Sequence, residues 1–232
     1  MNFQNTREFA QQLDAQDELF KYRDEFIFPT INGKNVIYFT GNSLGLQPKR
    51  TKAYVDEVMN DWANLAVEGH FYADKPWWDY HERFAAPLSG IVGAKPSEIT
   101  VMNTLTVNLH LMMVSFYRPT VKKYKIICEE KAFPSDQYMF QSQAQFHAQH
   151  LGINPKDIII EIKRREGEHN LRLEDILAKI EEVGDELALV LIGGVNYYTG
   201  QVFDMKTITA AAQKVGAYVG WDLAHAAGNV EL

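Results

Sequence analysis

The segment Gly220–Gly228 places an aspartate directly after an apolar run and a histidine three residues later. Asp222 follows Tyr218-Val219-Gly220-Trp221, and His225 comes soon after it. A buried carboxylate at a strand end is costly unless it meets a cation or several hydrogen-bond donors. One such cation is the protonated ring nitrogen of pyridoxal phosphate (PLP), which must keep its proton to act as an electron sink. The alternative is that Asp222 caps a helix over residues 223–227.

Three further segments follow predicted strands and carry polar or glycine residues. Residues 103–108 open a helix whose free N–H groups and threonine hydroxyls suit a phosphate. Phe133 is placed to lie flat against a planar ring, with Ser135 or Asp136 capping the next helix. Asn196 follows two glycines that allow close backbone approach. Taken singly, the first segment is better explained as a helix cap, the second as a capped helix with a core Phe, and the third as a turn. Together with the segment around Asp222, however, the three indicate a ligand site.

The elements that must position these segments alternate between strand-like and helical patterns from residue 99 onward. Such alternation predicts an α/β fold with a mostly parallel sheet flanked by helices on both faces. Ligands of such sheets bind beyond the carboxyl ends of the strands. The predicted strands are Ile99–Met102, Tyr124–Cys128, Ile158–Ile162, Leu187–Ile192 and Ala217–Asp222, and the predicted helices are Thr106–Phe116, Ser135–Gln149, Leu173–Val183 and Met205–Val215.

The residues before this alternation are organised differently. The pattern predicts a helical start, a short strand over Val36–Phe39 and a helix opened by Pro48. We divide the chain into an N-terminal segment, residues 1–50, contributing to a small domain, and a large domain, residues 51–232. Packing adequately explains His70 and the aromatic cluster Trp77–His81, so neither indicates a site by itself.

Composition places the chain among ordinary globular proteins. It has 232 residues, 46% hydrophobic residues and a net charge of −7, which argues against a broad nucleic-acid surface. The single Cys128 lies in an apolar run and is expected to be a buried structural thiol rather than a nucleophile. No signal peptide or membrane-spanning run is visible, so we expect a cytoplasmic protein with no membrane or nucleic-acid partner.

Five segments together resemble the kynureninase family, PLP enzymes of the aspartate aminotransferase fold (fold type I). The likeness runs from about residue 38 to the end, and it implies that the chain is an N-terminal portion whose large, PLP-binding domain is incomplete. Joint occurrence of the five is specific, whereas the strand-end aspartate alone would indicate only the wider superfamily. The segments are Gly41–Pro48, Asn103–His110, Phe133–Asp136, Tyr197–Gln201 and Asp222–His225.

The resemblance implies a hydrolase that converts L-kynurenine, or its 3-hydroxy derivative, to anthranilate (3-hydroxyanthranilate) and L-alanine by Cβ–Cγ cleavage. It further implies a homodimer with its active site at the subunit interface, in the kynurenine pathway of tryptophan catabolism or NAD biosynthesis. We expect the Schiff-base lysine beyond Leu232, so that no catalytic residue is assigned in this chain. The chain alone is then expected to be inactive and to bind PLP weakly and non-covalently.

Carried over by position, the resemblance also assigns site residues. Asp222 would pair with the pyridinium nitrogen, Phe133 would stack on the ring, and His225 would support its side. Asp136 would make a polar contact beside Pro134 and Ser135. Where the family carries a hydroxyl residue near the cofactor, this chain has Gly193. A backbone group would therefore have to make the contact with the cofactor that the hydroxyl makes in the family. Further assignments are Leu105 and Thr106 for the phosphate and His70 and Ser43 for the substrate.

Two alternatives stay open at this point. The first is another PLP enzyme of the same fold, such as a cysteine desulfurase or an aminotransferase. It would share Asp222 and His225 but would have no reason to carry the Gly41–Leu46 loop together with His70. The second is a non-catalytic, truncated module that keeps the fold for association or ligand binding.

Overall fold

A computed structural model describes residues 2–232 and divides into two units, one reaching Tyr80 and the other covering His81–Leu232. The first unit consists of helices and of two-residue strands paired antiparallel, Phe26–Ile27 with Gln47–Pro48 and Thr30–Ile31 with Lys34–Asn35. Its elements are α1 (Arg7–Gln16), β1 (Phe26–Ile27), β2 (Thr30–Ile31), β3 (Lys34–Asn35), β4 (Gln47–Pro48), α2 (Thr51–Leu65) and α3 (Gly69–Tyr72).

The second unit is built on a four-stranded sheet with all its pairs parallel, in the order Ile159–Ile162, Lys125–Glu129, Leu187–Gly193, Tyr218–Asp222. Its elements are α4 (Ala85–Val92), α5 (Leu105–Phe116), β5 (Lys125–Glu129), α6 (Pro134–Leu151), β6 (Ile159–Ile162), α7 (Leu173–Val183), β7 (Leu187–Gly193), α8 (Met205–Lys214) and β8 (Tyr218–Asp222). Short 3-10 helices cover Phe20–Glu25, Ala66–Glu68, Tyr80–Phe84, Pro96–Glu98, Pro155–Asp157 and Gly184–Glu186.

The sheet carries a hydrophobic core on each face, because successive residues of a strand point to opposite sides. Ile126 of β5 belongs to the core formed with α5 and α6, whereas its neighbour Ile127 belongs to the core formed with α7 and α8. On α7, Ile176, Ile180 and Val183 recur at helical spacing and are all buried. The predicted α/β fold with a mostly parallel sheet flanked by helices is therefore confirmed.

The sequence pattern predicted most of these elements, with three errors. One is that Pro48 lies in β4, and the helix predicted to open there, α2, begins at Thr51. Four of the five predicted strands are present within two residues of their predicted ends, as are the four predicted helices. In the described chain, residues 99–102 form no strand, and Val36–Phe39 forms none either. A strand requires a hydrogen-bonding partner, and the sheet pairs only β5–β8 with one another. Apolar, β-branched composition alone does not supply that partner.

Two further expectations concern single features of the chain. Cys128 lies within β5 and is 2% exposed, and burial raises the pKa of its thiol well above the ordinary value. Both observations support a structural thiol. No helix within residues 2–232 combines the length and apolar character needed to cross a membrane.

Candidate functional site

The carboxyl ends of the parallel strands meet at one edge of the sheet, and two of them end in buried carboxylates. Glu129 closes β5 and is 4% exposed, and Asp222 closes β8 and is 8% exposed. Between these strands lies β7, whose last residue, Gly193, pairs in register with Asp222. This edge is where a doubly wound sheet is expected to bind ligands.

Asp222 caps a turn instead of a helix. Its Oδ1 accepts a hydrogen bond from the Ala224 N–H at 2.8 Å, and its backbone carbonyl accepts from the Gly194 N–H at 2.7 Å. The helix over residues 223–227 that the alternative interpretation required is absent from the described chain, since this stretch forms turns closed on the Leu223 carbonyl. The capping interpretation thus explains one carboxylate oxygen of Asp222.

Asp222 has a second neighbour, the carboxyl group of Asp136. Asp136 lies in the first turn of α6, where its carboxyl is within hydrogen-bonding reach of the Asp222 carboxyl. Asp136 is 4% exposed, and the Ser135 hydroxyl donates to its Oδ1 at 3.3 Å. Burial and then the negative charge of Asp222 raise the pKa of Asp136 to about 7, although a helix N-terminus alone would lower it. Burial therefore outweighs the helix dipole.

Glu129 adds a third negative charge to this edge. The Asn196 side-chain N–H donates to Glu129 Oε2 at 2.6 Å, and the Gly193 N–H approaches Oε1 at 3.4 Å. Burial raises the pKa of Glu129, while the hydrogen bonds from Asn196 and Gly193 and the charge of Arg164 act against that rise. The carboxyl edge is consequently an acidic, poorly hydrated environment that favours a cationic ligand.

Aromatic rings stand beside the carboxyl groups. The Phe133 ring meets the Tyr197 ring edge-on, at 5.2 Å between centroids and 90° between planes. Tyr197 also lies 6.3 Å from the His225 ring, with the planes tilted by 54°. Phe133 is 43% exposed, so the simpler interpretation of Phe133 as a core residue is wrong. Its ring retains free surface for a planar ligand.

The first turn of α5 is the predicted phosphate region. Leu105 and Thr106 begin this helix and are exposed. Within residues 2–232, the Thr104 side chain makes no capping hydrogen bond to α5, so the simple N-cap interpretation fails for Thr104. The orphan N–H groups of this turn are therefore not satisfied by that side chain.

The two predicted substrate residues belong to the first unit. His70 lies on α3, is exposed, and meets the Trp77 ring edge-on at 5.4 Å. Ser43 lies in an exposed turn in which its N–H donates to the Thr40 carbonyl at 3.0 Å. Packing against Trp77 thus explains part of the environment of His70, as the sequence suggested.

In the second unit, the structure brings together Asp136 and Asp222, and it places Tyr197 beside both Phe133 and His225. Sequence reasoning assigned no role to Glu129 or Tyr197. The signal for Glu129 was present, because it is a carboxylate that directly follows the apolar run Ile126–Cys128. Tyr197 was marked only as the first residue of the segment Tyr197–Gln201, and it is the path of its turn that puts its ring beside Phe133.

Comparisons with known proteins place these features in context. The chain is 81% identical over all 232 residues to a kynureninase of Flavobacterium johnsoniae and covers 54% of that protein. It is 53% identical to a kynureninase of Nematostella vectensis over 239 aligned residues, covering 50% of it, and 48% identical to the human kynureninase over 235, covering 50%. No family model matches the chain.

Solved structures share the fold at low sequence identity. A complex of the cystine C-S lyase C-DES with cysteine persulfide superimposes with a TM-score of 0.60 at 17% identity, over 84% of this chain and 49% of that one. A cysteine desulfurase from Thermococcus onnurineus NA1 gives 0.55 at 21% identity, over 80% and 43%. At such identities the likeness shows the fold alone, which is fold type I.

The relatives of high identity distinguish between the alternatives that share this fold. The chain spans about half the length of the curated relatives it matches. The cysteine desulfurase and C-DES structures compared above share 21% and 17% identity with it, whereas the kynureninases compared match it along 96–100% of its length at 48–81% identity. The resemblance stated from the sequence is confirmed: along its whole length, this chain is similar to about half of a kynureninase.

Proposed function

We propose that this chain supplies the PLP-binding part of a kynureninase, which hydrolyses L-kynurenine or 3-hydroxy-L-kynurenine to anthranilate or 3-hydroxyanthranilate and L-alanine. The observation that carries the proposal is the buried Asp136–Asp222 pair at the carboxyl edge of the sheet. The strongest charges acting on Asp136 are the negative ones of Asp222 and Glu129. A ligand that brings a positive charge to Asp222 would stabilise this arrangement.

The residues of this edge fit PLP. Asp222 would hold the pyridinium nitrogen, with Asp136 sharing a hydrogen bond with it, and the exposed ring of Phe133 would lie against the pyridine. His225 would support the ring from the side, and Pro134 and Ser135 would shape the same turn. When bound, PLP supplies an electron sink for the negative charge that develops as the substrate's Cβ–Cγ bond breaks.

The remaining assignments rest on the resemblance and on local structure. The N–H groups of Leu105 and Thr106 at the start of α5 would bind the phosphate, as helix N-termini commonly do. His70 and Ser43 would contact the substrate, His70 through its ring against the aniline. Gly193 leaves room only for a small group, since a Cβ there would lie 3.0 Å from Glu129 Oε1.

The resemblance supports a wider setting for the complete protein. We propose a cytoplasmic homodimer with its active site at the subunit interface, acting in the kynurenine pathway of tryptophan catabolism that leads to NAD biosynthesis. Its partner molecules would be small substrates, with no role for nucleic acid or membrane. Size determination of the complete protein, together with its activity at limiting concentration, tests the dimer.

Titration of the 232-residue chain with PLP, followed by PLP absorbance, tests the cofactor assignment. We expect Asp222→Asn to weaken binding about tenfold or more, because a charge-assisted hydrogen bond to the pyridinium is lost. Asp204→Asn is the matched control: it removes the same charge from the N-cap of α8, where asparagine caps equally well. Equal affinities of the wild type and Asp222→Asn would refute the assignment.

A substrate panel on the complete polypeptide tests the reaction. Release of L-alanine from kynurenine, without release of sulfide from cysteine, is the expected result. Sulfide release or exchange with 2-oxo acids would instead favour a desulfurase or an aminotransferase of the same fold. PLP binding with neither reaction would favour a binding module.

A further inference from the structure

Glu129 is the buried carboxylate at this edge to which the proposed chemistry assigns no role. It closes β5 and reaches across to the segment after β7, where it accepts hydrogen bonds from Asn196 at 2.6 Å and from the Gly193 N–H at 3.4 Å. A charged acceptor makes the shorter of these bonds roughly twice as strong as a neutral pair would. Glu129 therefore ties the end of one strand to the turn that follows another.

Asn196 is oriented at both ends of its side-chain amide. Its Nδ2 donates to Glu129, while its Oδ1 accepts from the N–H groups of Tyr198 at 3.0 Å and Thr199 at 2.9 Å. The Gly200 N–H returns to the Asn196 carbonyl at 2.9 Å, with Gly200 at a φ of +74°. Because both ends are used, the amide can adopt one orientation only.

The turn held in this way carries Tyr197. The Tyr197 ring stands edge-on to Phe133 at 5.2 Å and lies 6.3 Å from His225. Tyr197 is 38% exposed, so its own burial fixes it only partly. The position of its ring therefore depends on the backbone of the turn.

We propose that Glu129 is a positioning residue: by holding the Asn196 amide, it sets the turn that presents the Tyr197 ring beside Phe133. The inference rests on the proposed function in one respect, namely that Phe133 faces the cofactor ring. The cost of burying a third carboxylate close to Asp222 argues for such a role, since a neutral acceptor would satisfy Asn196 with a smaller desolvation penalty.

Hydrogen exchange of the turn tests the inference without any cofactor. In Glu129→Ala we expect the amides of Tyr198 and Thr199 to exchange about tenfold faster, because the oriented acceptor of Asn196 is released. Glu129→Gln, which keeps an acceptor oxygen, should show a smaller increase. Unchanged exchange at both amides in Glu129→Ala would overturn the inference.

Two controls separate positioning from loss of stability. Glu130→Gln removes the same charge one residue along the chain, from a half-buried side chain, and should leave the turn unchanged. Ile176→Val weakens the core under α7 and should lower the melting temperature without changing exchange at Tyr198 and Thr199. If Ile176→Val accelerates those amides as strongly as Glu129→Ala, the positioning role is refuted.

A reciprocal pair of substitutions sharpens the test. Asn196→Asp sets two carboxylates against each other and should accelerate exchange. In Glu129→Gln/Asn196→Asp the donor and acceptor are reversed: the new amide donates, and the aspartate still accepts from Tyr198 and Thr199. We expect the double variant to return to within about threefold of the wild type. A double variant faster than both single variants would contradict the proposed pairing.

Titration with PLP then links the turn to the cofactor site. Glu129→Ala should weaken PLP binding about three- to tenfold, with Glu130→Gln unchanged. Faster exchange combined with unchanged PLP affinity would overturn the link to the cofactor site. A wild-type chain that binds no PLP would refute the proposed function, whereas the exchange experiment would still decide the role of Glu129 in the turn.

Discussion

The two units of this chain treat their apolar residues in opposite ways. Among the described residues 2–80, only Gly69 and Ala73 are buried, and Trp62 on α2 is 62% exposed. The second unit buries nearly all the side chains of β7 and a full stripe of α7. Both units carry amphipathic helices, so the difference shows that patterning creates a buried face only where a partner surface exists. A parallel sheet supplies two such surfaces.

The two units also differ in whether their charged side chains are exposed or buried. The ion pair of Lys52 with Asp56 in the first unit joins largely exposed side chains and contributes little to stability. The second unit buries Glu129, Asp136 and Asp222 at the edge of its sheet. Burial of these groups costs stability that the hydrophobic cores on both faces must offset. Such a concentration of unfavourable burial at one edge is typical of a functional site.

The largest expected effect tests the contrast in burial. Ile180→Ala in the second unit should lower the free energy of unfolding by about 2–5 kcal/mol, because it leaves a cavity under α7. Trp62→Ala in the first unit should change it by less than about 0.5 kcal/mol, because that ring is mostly in solvent. Urea unfolding of both variants provides the measurement. A loss for Trp62→Ala as large as that for Ile180→Ala would break the comparison.

The next effect concerns the buried carboxyl pair and its dependence on pH. The pKa of Asp136 rises from 3.8 to about 7 on folding, so the native state binds more protons than the unfolded state between these values. Stability therefore falls as pH rises through this window, on the order of 4 kcal/mol for the wild type. Asp136→Asn should flatten that fall.

Melting temperatures between about pH 5 and pH 8 measure the slope. Asp14→Asn, an equal change of charge at an exposed residue of the first unit, is the control and should keep the wild-type slope. If Asp136→Asn retains the full fall in stability, another group at this edge takes up the proton, and the raised pKa of Asp136 is not the cause of the pH dependence.

The smallest effect compares two helix caps. Asp204 caps α8 by accepting from the Thr207 N–H at 2.9 Å, and Thr6 caps α1 by accepting from the Phe9 N–H at 3.2 Å. Asp204→Ala should cost about 1 kcal/mol. Thr6→Ala should cost less in global unfolding, because α1 buries none of its residues and a helix with so few buried contacts is expected to open locally. Equal losses in chemical unfolding would show that α1 is as firmly coupled as α8.

Prediction from sequence succeeded where one local pattern decides the outcome. The run Leu187–Ile192 reads as a strand buried on both faces, and the spacing of Ile176, Ile180 and Val183 reads as a helix with one apolar face. It failed for Ile99–Met102 and Val36–Phe39, whose composition favours strands but which have no partner strand. The assignment of individual side chains to cofactor and substrate stays a prediction.

The sequence by itself determined the α/β alternation, the strand ends that would carry polar residues, and the likeness to kynureninases. Only the tertiary structure decided that Asp136 and Asp222 share one buried environment, that Glu129 joins them, and that Tyr197 stands beside Phe133. The physical reason is distance along the chain: Glu129 and Asn196 are 67 residues apart, and only the order of strands in the sheet brings them within 2.6 Å. Local propensity carries no information about such contacts.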